Sequence, residues 1–112
     1  MTKKRRAAPR VKVNLRARWE GDHCQEEADV TSLSKNGCFV LSGGKFAHRE
    51  LIRLEIIFPD EDPIYVWAEV VDVAAEIGFA LRFTSLEEAD ELRLGEFIQK
   101  HLKSAELNNR SD

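Results

Sequence analysis

Three arginines near the N-terminus are the residues of this 112-residue chain best suited to bind a charged molecule. Arg5, Arg6 and Arg10 follow the pattern RRxxxR, with Pro9 just before the last of them. A guanidinium group is a planar fork of N–H donors that suits phosphate oxygens, and the same fork matches the O6 and N7 acceptors of guanine. The spacing therefore predicts a site for a phosphate-bearing ligand.

A second candidate group is the segment Ser34-Lys35-Asn36-Gly37, with Ser32 two residues before it. Its composition predicts a tight turn between two strands, in which Gly37 takes a positive φ without steric cost and Asn36 tolerates one. The arginines and this turn can be neighbours in space. They contain no Ser-His-Asp or Cys-His set with supporting context, so we expect binding and neither catalysis nor a bound cofactor. Metal binding is not expected either, because the histidines are scattered along the chain: His23, His48 and His101.

The charge distribution supports a compact anionic ligand. The first 18 residues contain eight basic residues and no acidic one, whereas the rest of the chain contains nine basic and 20 acidic residues. Such an acidic body should discourage broad adhesion to nucleic acid polymers or to a membrane surface. The alternative is that the basic segment is only a solvated tail that favours solubility.

Hydrophobic periodicity predicts a mainly β fold of six antiparallel strands followed by one helix. Short connections between the strands favour a small β-barrel, with the helix covering an open side. The predicted strands are 10–19, 27–33, 38–42, 51–58, 64–74 and 76–83, and the helix, begun by a capping box at Ser85 and Glu88, is about 86–104. We expect a flexible basic arm at 1–9, one barrel domain with its helix at 10–107 and a disordered tail at 108–112.

Further expectations concern individual side chains and location. Cys24 and Cys38 are too few and too far apart for a zinc site and are expected to be reduced residues in or near the core. Trp19 and Trp67 lie in strands and are expected in the core rather than as stacking platforms. No apolar run is long enough to span a bilayer and no signal-peptide segment follows the basic N-terminus, so we expect a cytoplasmic protein without membrane insertion.

Taken in order, these motifs resemble the PilZ domain, a bacterial family. The resemblance rests on the RRxxxR pattern, Ser34-x-x-Gly37, Cys38-Phe39-Val40 after the turn, the strand 77–83 and the helix after Ser85. It implies a non-enzymatic receptor for the second messenger cyclic di-GMP, whose arm orders over the ligand and signals to an unidentified effector protein. By resemblance, Arg6 and Arg10 would hold guanine edges and phosphates, Arg5 would assist, Ser34 would offer its hydroxyl and Gly37 would let the backbone turn beside the ligand. We expect a monomer or a weak dimer.

One position departs from the family pattern. The turn motif normally begins with Asp or Asn, and here that position is Ser32. Replacing a charged acceptor by a neutral one costs roughly 1 to 2 kcal/mol, which is about tenfold in affinity, so we expect weaker binding rather than none. Two alternatives stay open: a PilZ-like adaptor that has lost the nucleotide, and nucleic-acid binding by the basic arm.

Overall fold

Alternation of side chains between inward and outward positions gives the strands one face towards the barrel interior and one face towards solvent. In the first strand, Leu15, Ala17 and Trp19 are buried while the intervening Arg16 and Arg18 are exposed. Successive side chains of a strand point to opposite faces, so this pattern directs the apolar residues into the barrel. The same period of two recurs in the other strands and builds a common interior.

The structure, a computed structural model, describes residues 9–43, 47–74 and 77–110, with side chains described as far as residue 104. It contains β1 (Val11–Glu20), β2 (Gln25–Leu33), β3 (Gly37–Leu41), β4 (Leu51–Ile57), β5 (Ile64–Ala74), β6 (Gly78–Ser85) and α1 (Glu88–Arg110). All paired strands are antiparallel, and the order β1-β2-β3-β6-β5-β4 closes because β4 pairs with β1. The predicted six-stranded barrel with one C-terminal helix is confirmed.

The barrel interior and one face of α1 form a single core. Trp19 meets Phe79 edge to face, with ring centroids 5.4 Å apart. On α1, Leu94 and Ile98 are buried, and Phe97 packs against Phe58 at 4.9 Å between centroids. The helix therefore covers the barrel through one apolar stripe, as its periodicity predicts.

The predicted bounds of the helix are wrong at both ends, since α1 ends at Arg110 and so continues past residue 104 into the segment predicted as a disordered tail. Ser85 is the last residue of β6, where it pairs with Trp67, and α1 begins at Glu88. Ser85 therefore pairs in the sheet, although the local sequence predicts that it caps the helix. The first turn of α1 contains Glu88, Asp90 and Glu91, whose negative charges suit the positive end of the helix dipole.

Three large apolar residues lie at the surface. Trp67 is 46% exposed because it alternates with the inward Val66 and Ala68 on β5, so the expectation that it lies in the core is wrong. Ile77 precedes β6 in the hairpin turn and is also exposed, as is Leu92 on α1. Trp19, by contrast, lies in the core as expected. Within the part of the chain described, no helix is long and apolar enough to cross a membrane.

Candidate functional site

The pairing of β1 with β2 brings the N-terminal end of β1 beside the C-terminal end of β2. Lys12 is paired with Ser32, and Arg10 lies two residues before Lys12. The Nη1 of Arg10 donates a hydrogen bond of 2.9 Å to the hydroxyl oxygen of Ser32. The structure thus brings together one predicted residue of the basic segment and one of the turn motif. The other two predicted arginines, Arg5 and Arg6, lie outside the described residues.

Ser34 holds the bend that follows β2. Its side chain is buried, and its hydroxyl oxygen accepts hydrogen bonds from the backbone N–H groups of Asn36 and Gly37, each 3.2 Å long. The hydroxyl also donates to the carbonyl oxygen of Gly37 at 3.3 Å. One donor and two acceptor sites are all that a hydroxyl offers, so these three bonds fill its capacity in this conformation. The bend is therefore preformed, and a ligand bond to Ser34 stays a prediction.

Gly37 is needed for a different reason from the one predicted. None of the described glycines has a positive φ, so the expected left-handed conformation is wrong. A Cβ at Gly37 would instead overlap the carbonyl oxygen of Leu81 on the neighbouring β6. The carbonyl oxygen of Asn36 also accepts a 2.8 Å hydrogen bond from the N–H of Phe83. Close approach of the strands and this bond fasten the bend to β6.

A row of outward side chains crosses the barrel beside the bend. Ser32 on β2 is paired with Phe39 on β3, which is paired in turn with Ala80 on β6. Directly opposed residues in an antiparallel sheet point to the same face, so the half-buried Phe39 ring lies on the outer surface between Ser32 and Ala80. An aromatic ring in such a place is a platform on which a nucleobase can stack.

Phe39 was not among the predicted site residues, although one signal could have identified it. The alternation in Cys38-Phe39-Val40 places Cys38 and Val40 inside and directs one aromatic residue outward, next to a suspected binding turn.

Cys38 lies beneath this surface and reports the nearness of the Arg10 charge. Burial raises the pKa of the Cys38 thiol to about 12, and the positive charge of Arg10 opposes that rise. Both Cys38 and the half-buried Cys24 are free thiols, as predicted. The guanidinium of Arg10 thus acts on β3 as well as on β2.

Two further surface features lie outside this constellation. A groove of about 830 Å³ separates α1 from the bend, with Lys35 on one side and Leu92, Gly95 and Gln99 on the other. On β4 and β5, Tyr65 and Trp67 are exposed on the outer face, and the Arg53 guanidinium lies 5.9 Å from the centre of the Trp67 ring. Tyrosine, tryptophan and arginine are the residues enriched in protein interfaces, so this second surface suits contact with a protein.

Comparison with known proteins places these features in a family context. The model of the family described as PilZ domain matches residues 4–100. That range includes all three arginines, the bend, the barrel and most of α1. A comparison with the sequences of curated proteins gave no significant match.

Solved structures are similar in fold at low sequence identity. The Bacillus subtilis inhibitor of motility (MotI/DgrA) has a TM-score of 0.76 and 22% identity, over 96% of this chain and 54% of that one. This chain therefore spans about half the length of the Bacillus protein. The PilZ domain with c-di-GMP of YcgR from Escherichia coli has a TM-score of 0.75 and 12% identity, covering 97% of this chain and 100% of that domain. Borreliella burgdorferi PlzA in complex with c-di-GMP has a TM-score of 0.66 and 11% identity, over 83% of this chain and 40% of that chain.

Proposed function

Because the chain belongs to the PilZ domain family, we propose that it is a non-enzymatic receptor for the bacterial second messenger cyclic di-GMP. The observation that carries the proposal is the hydrogen bond from Arg10, the last arginine of the RRxxxR pattern, to Ser32, two residues before Ser34 of the turn motif. Two solved structures of similar fold contain c-di-GMP, which supports the choice of ligand.

The surface has parts that suit a cyclic dinucleotide. Arg10 supplies a guanidinium for a phosphate or a guanine edge, Phe39 supplies an apolar face for a base, and Ser32 supplies a hydroxyl. We propose that Arg5 and Arg6, which precede Arg10 in the chain, close over the ligand from the other side. None of these steps changes the ligand covalently.

Ser32 should set a moderate affinity. Its hydroxyl can both donate and accept, but it is neutral, whereas the carboxylate common at this position in the family is a charged acceptor. The hydroxyl already accepts a bond from Arg10, so ligand binding must share or replace that bond. We therefore expect Ser32→Asp to strengthen binding by about tenfold, because a hydrogen bond to a charged group is worth about 1 to 2 kcal/mol more than a neutral one.

Signalling in this proposal passes through a partner protein. Ordering of the segment 1–9 over the ligand would give the barrel a new basic surface, and such a disorder-to-order change is a common way to switch protein contacts. The exposed Tyr65 and Trp67 on β5 offer a constant surface for the same partner.

A second candidate function is an adaptor that binds proteins and has lost the nucleotide. Ser32 in place of an acid or amide favours this adaptor. The aromatic surface beside Arg53 favours it too, because it is exposed, with 52% of Tyr65 accessible. The likeness to the Bacillus inhibitor of motility is compatible with both candidates, since low identity carries the fold alone.

Isothermal titration calorimetry of the purified chain with cyclic di-GMP tests the proposal. The native chain should bind, Arg10→Ala should bind at least tenfold more weakly, and Arg18→Ala should bind as the native chain does. Arg18→Ala is the matched control because it removes the same charge from the far part of β1, where Arg18 lies 3.9 Å from Glu55 in an ion pair. Binding by Ser32→Asp but not by the native chain would support the adaptor and overturn the receptor.

A further inference from the structure

We propose that Arg82 is a further ligand-binding residue, a guanidinium on the β6 side of the bend that Glu69 holds in place for the phosphate of the cyclic dinucleotide. This inference rests on the proposed function and adds to it a residue that neither the arginine pattern nor the turn motif contains. It follows from the register of three neighbouring strands and from an arrangement of charges on the outer face of the barrel.

The register puts Arg82 beside the site. Gly37, the last residue of the bend, is paired directly with Arg82 across β3 and β6. Gly37 has no side chain and is buried against β6, so it places no side chain beside that of Arg82. The next outward row contains Phe39 and Ala80, and Arg10 bonds to Ser32 at the other end of that row. Arg10 and Arg82 thus flank the Phe39 platform from opposite strands.

Glu69 fixes the position of the Arg82 side chain. It is paired with Arg82 across β5 and β6, lies on the outer face and is nevertheless only 7% exposed. One carboxylate oxygen accepts from the Nη2 of Arg82, and the other is 3.0 Å from the Nε of Arg49. A shielded carboxylate that is paired at both oxygens restrains the long arginine side chains, which lose little further freedom when a ligand arrives.

The group formed by Glu69, Arg49 and Arg82 has an excess positive charge that can attract an anion. A single guanidinium is enough to neutralise Glu69, yet two are present, so the group has a net charge of +1 on an otherwise acidic body. Arg82 gives only one of its donor groups to Glu69, and its side chain is 56% exposed. The remaining N–H groups of the fork are therefore available on the solvent side, in the geometry that phosphate oxygens accept.

Calorimetry with cyclic di-GMP and four variants of the full chain tests the proposal. Arg82→Ala should weaken binding by about tenfold to a hundredfold, the range expected when a hydrogen bond to a charged group is lost. Arg82→Lys retains the charge and the pairing with Glu69, and it should still weaken binding at least fivefold because an ammonium lacks the fork. Arg49→Ala is the charge-matched comparison: it removes the other partner of Glu69 and the same unit of positive charge, so its effect measures the part of binding that comes from charge alone and should stay within threefold of the native chain.

Glu69→Gln separates positioning from bulk charge by the sign of its effect. The substitution makes the surface more positive, so a role through charge alone predicts tighter binding of an anion. A positioning role predicts weaker binding by severalfold, because a neutral amide holds Arg82 less firmly. Equal or tighter binding by Glu69→Gln would remove Glu69 from the proposal.

The outcomes distinguish this inference from the function on which it depends. No binding by the native chain overturns the proposed receptor and the role of Arg82 with it. Native binding with unchanged affinity in Arg82→Ala, or with equal losses in Arg82→Ala and Arg49→Ala, overturns the role of Arg82 alone. Thermal unfolding of each variant accompanies the titrations, and if Arg82→Ala does not fold, native affinity in Arg82→Lys overturns the proposal.

Discussion

At the scale of residues, the contact between Arg10 and Ser32 positions the Arg10 side chain more than it stabilises the fold. It lies on the exposed surface, where a hydrogen bond contributes only about 0.5 to 1.5 kcal/mol. Removing the guanidinium should therefore leave the fold intact and act on ligand affinity. This separation makes Arg10 a cleaner probe of function than the buried Ser34, which holds the backbone of the bend.

Phe39 provides the sharpest test of the platform between Arg10 and β6. We expect Phe39→Ala to lower affinity for cyclic di-GMP by roughly tenfold, because base stacking on an aromatic ring is worth about 1 to 3 kcal/mol. Leu41→Ala is the control, since Leu41 is the next outward residue of the same strand and lies beyond the row that contains Ser32. Equal affinity of the Phe39 variant and the native chain, in the same calorimetric titration, would exclude stacking there.

Cys38 makes stability depend on pH in a predictable direction. Burial favours the neutral thiol and raises its pKa from 9.0 to about 12. The thiol therefore stabilises the folded chain fully below about pH 9, and this contribution is lost as the pH rises from 9 towards 12, because the unfolded thiol ionises first. Urea unfolding at pH 7, 9 and 10.5 should show a steeper decline for the native chain than for Cys38→Ala. Parallel declines would contradict the burial of this thiol.

At the scale of elements, two glycines set how closely β3 and β6 approach each other. A Cβ at Gly37 would overlap the carbonyl oxygen of Leu81, and one at Gly78 would overlap that of Val40, at opposite ends of the same ladder. The close approach of β3 and β6 therefore requires glycine at both positions. The glycine of the turn motif accordingly has a structural role whether or not a ligand binds.

Substitution by alanine measures this constraint. We expect Gly37→Ala and Gly78→Ala each to lower the free energy of unfolding by about 1 to 3 kcal/mol, the cost of forcing an extra methyl group into a packed contact. Gly43→Ala should have little effect, because nothing lies within 4 Å of the added Cβ. Chemical denaturation of the three variants gives the comparison, and equal stabilities would show that the strands can separate at no cost.

The sequence predicts the helices and strands well where a local pattern specifies them. It predicts them poorly where pairing with a distant strand determines the bounds of an element. Alternation, apolar runs and turn residues together locate all six strands, and the predicted bounds of β5 agree fully. The helix start fails because Ser85 has a sheet partner, Trp67, that no local pattern indicates. The exposure of Trp67 is missed for a related reason: an apolar run does not tell whether another layer covers its outer face.

At the scale of the whole molecule, one contact of the proposed site is local in topology and one is not. Arg10 precedes β1 and Ser32 is the next-to-last residue of β2, so a single hairpin brings them together, and the sequence suffices to expect it. Arg82 reaches the bend only because β6 inserts between β3 and β5 in the closed barrel. Such a long-range register cannot be obtained from spacing, and Arg82 and Glu69 were therefore not predicted, whereas the local alternation in Cys38-Phe39-Val40 could have indicated Phe39.

Charge separation along the chain should also shape how the ligand is captured. The basic first 18 residues and the acidic remainder favour a compact anion at the place where the arm meets the barrel. Binding should raise the free energy of unfolding by about 2.7 kcal/mol when free cyclic di-GMP is a hundredfold above its dissociation constant. An unchanged thermal midpoint at saturating ligand would contradict coupling between ligand and fold.

The most direct measurement of the central claim is an amide nuclear magnetic resonance titration of the full chain with cyclic di-GMP. The account predicts chemical-shift changes at Arg10, Ser32, the bend 34–37, Phe39 and Arg82, with the resonances of Arg53, Tyr65 and Trp67 on β4 and β5 almost unmoved. Changes confined to the β4 and β5 surface, or no changes at millimolar ligand, would show that the arginine pattern and the bend do not share a ligand.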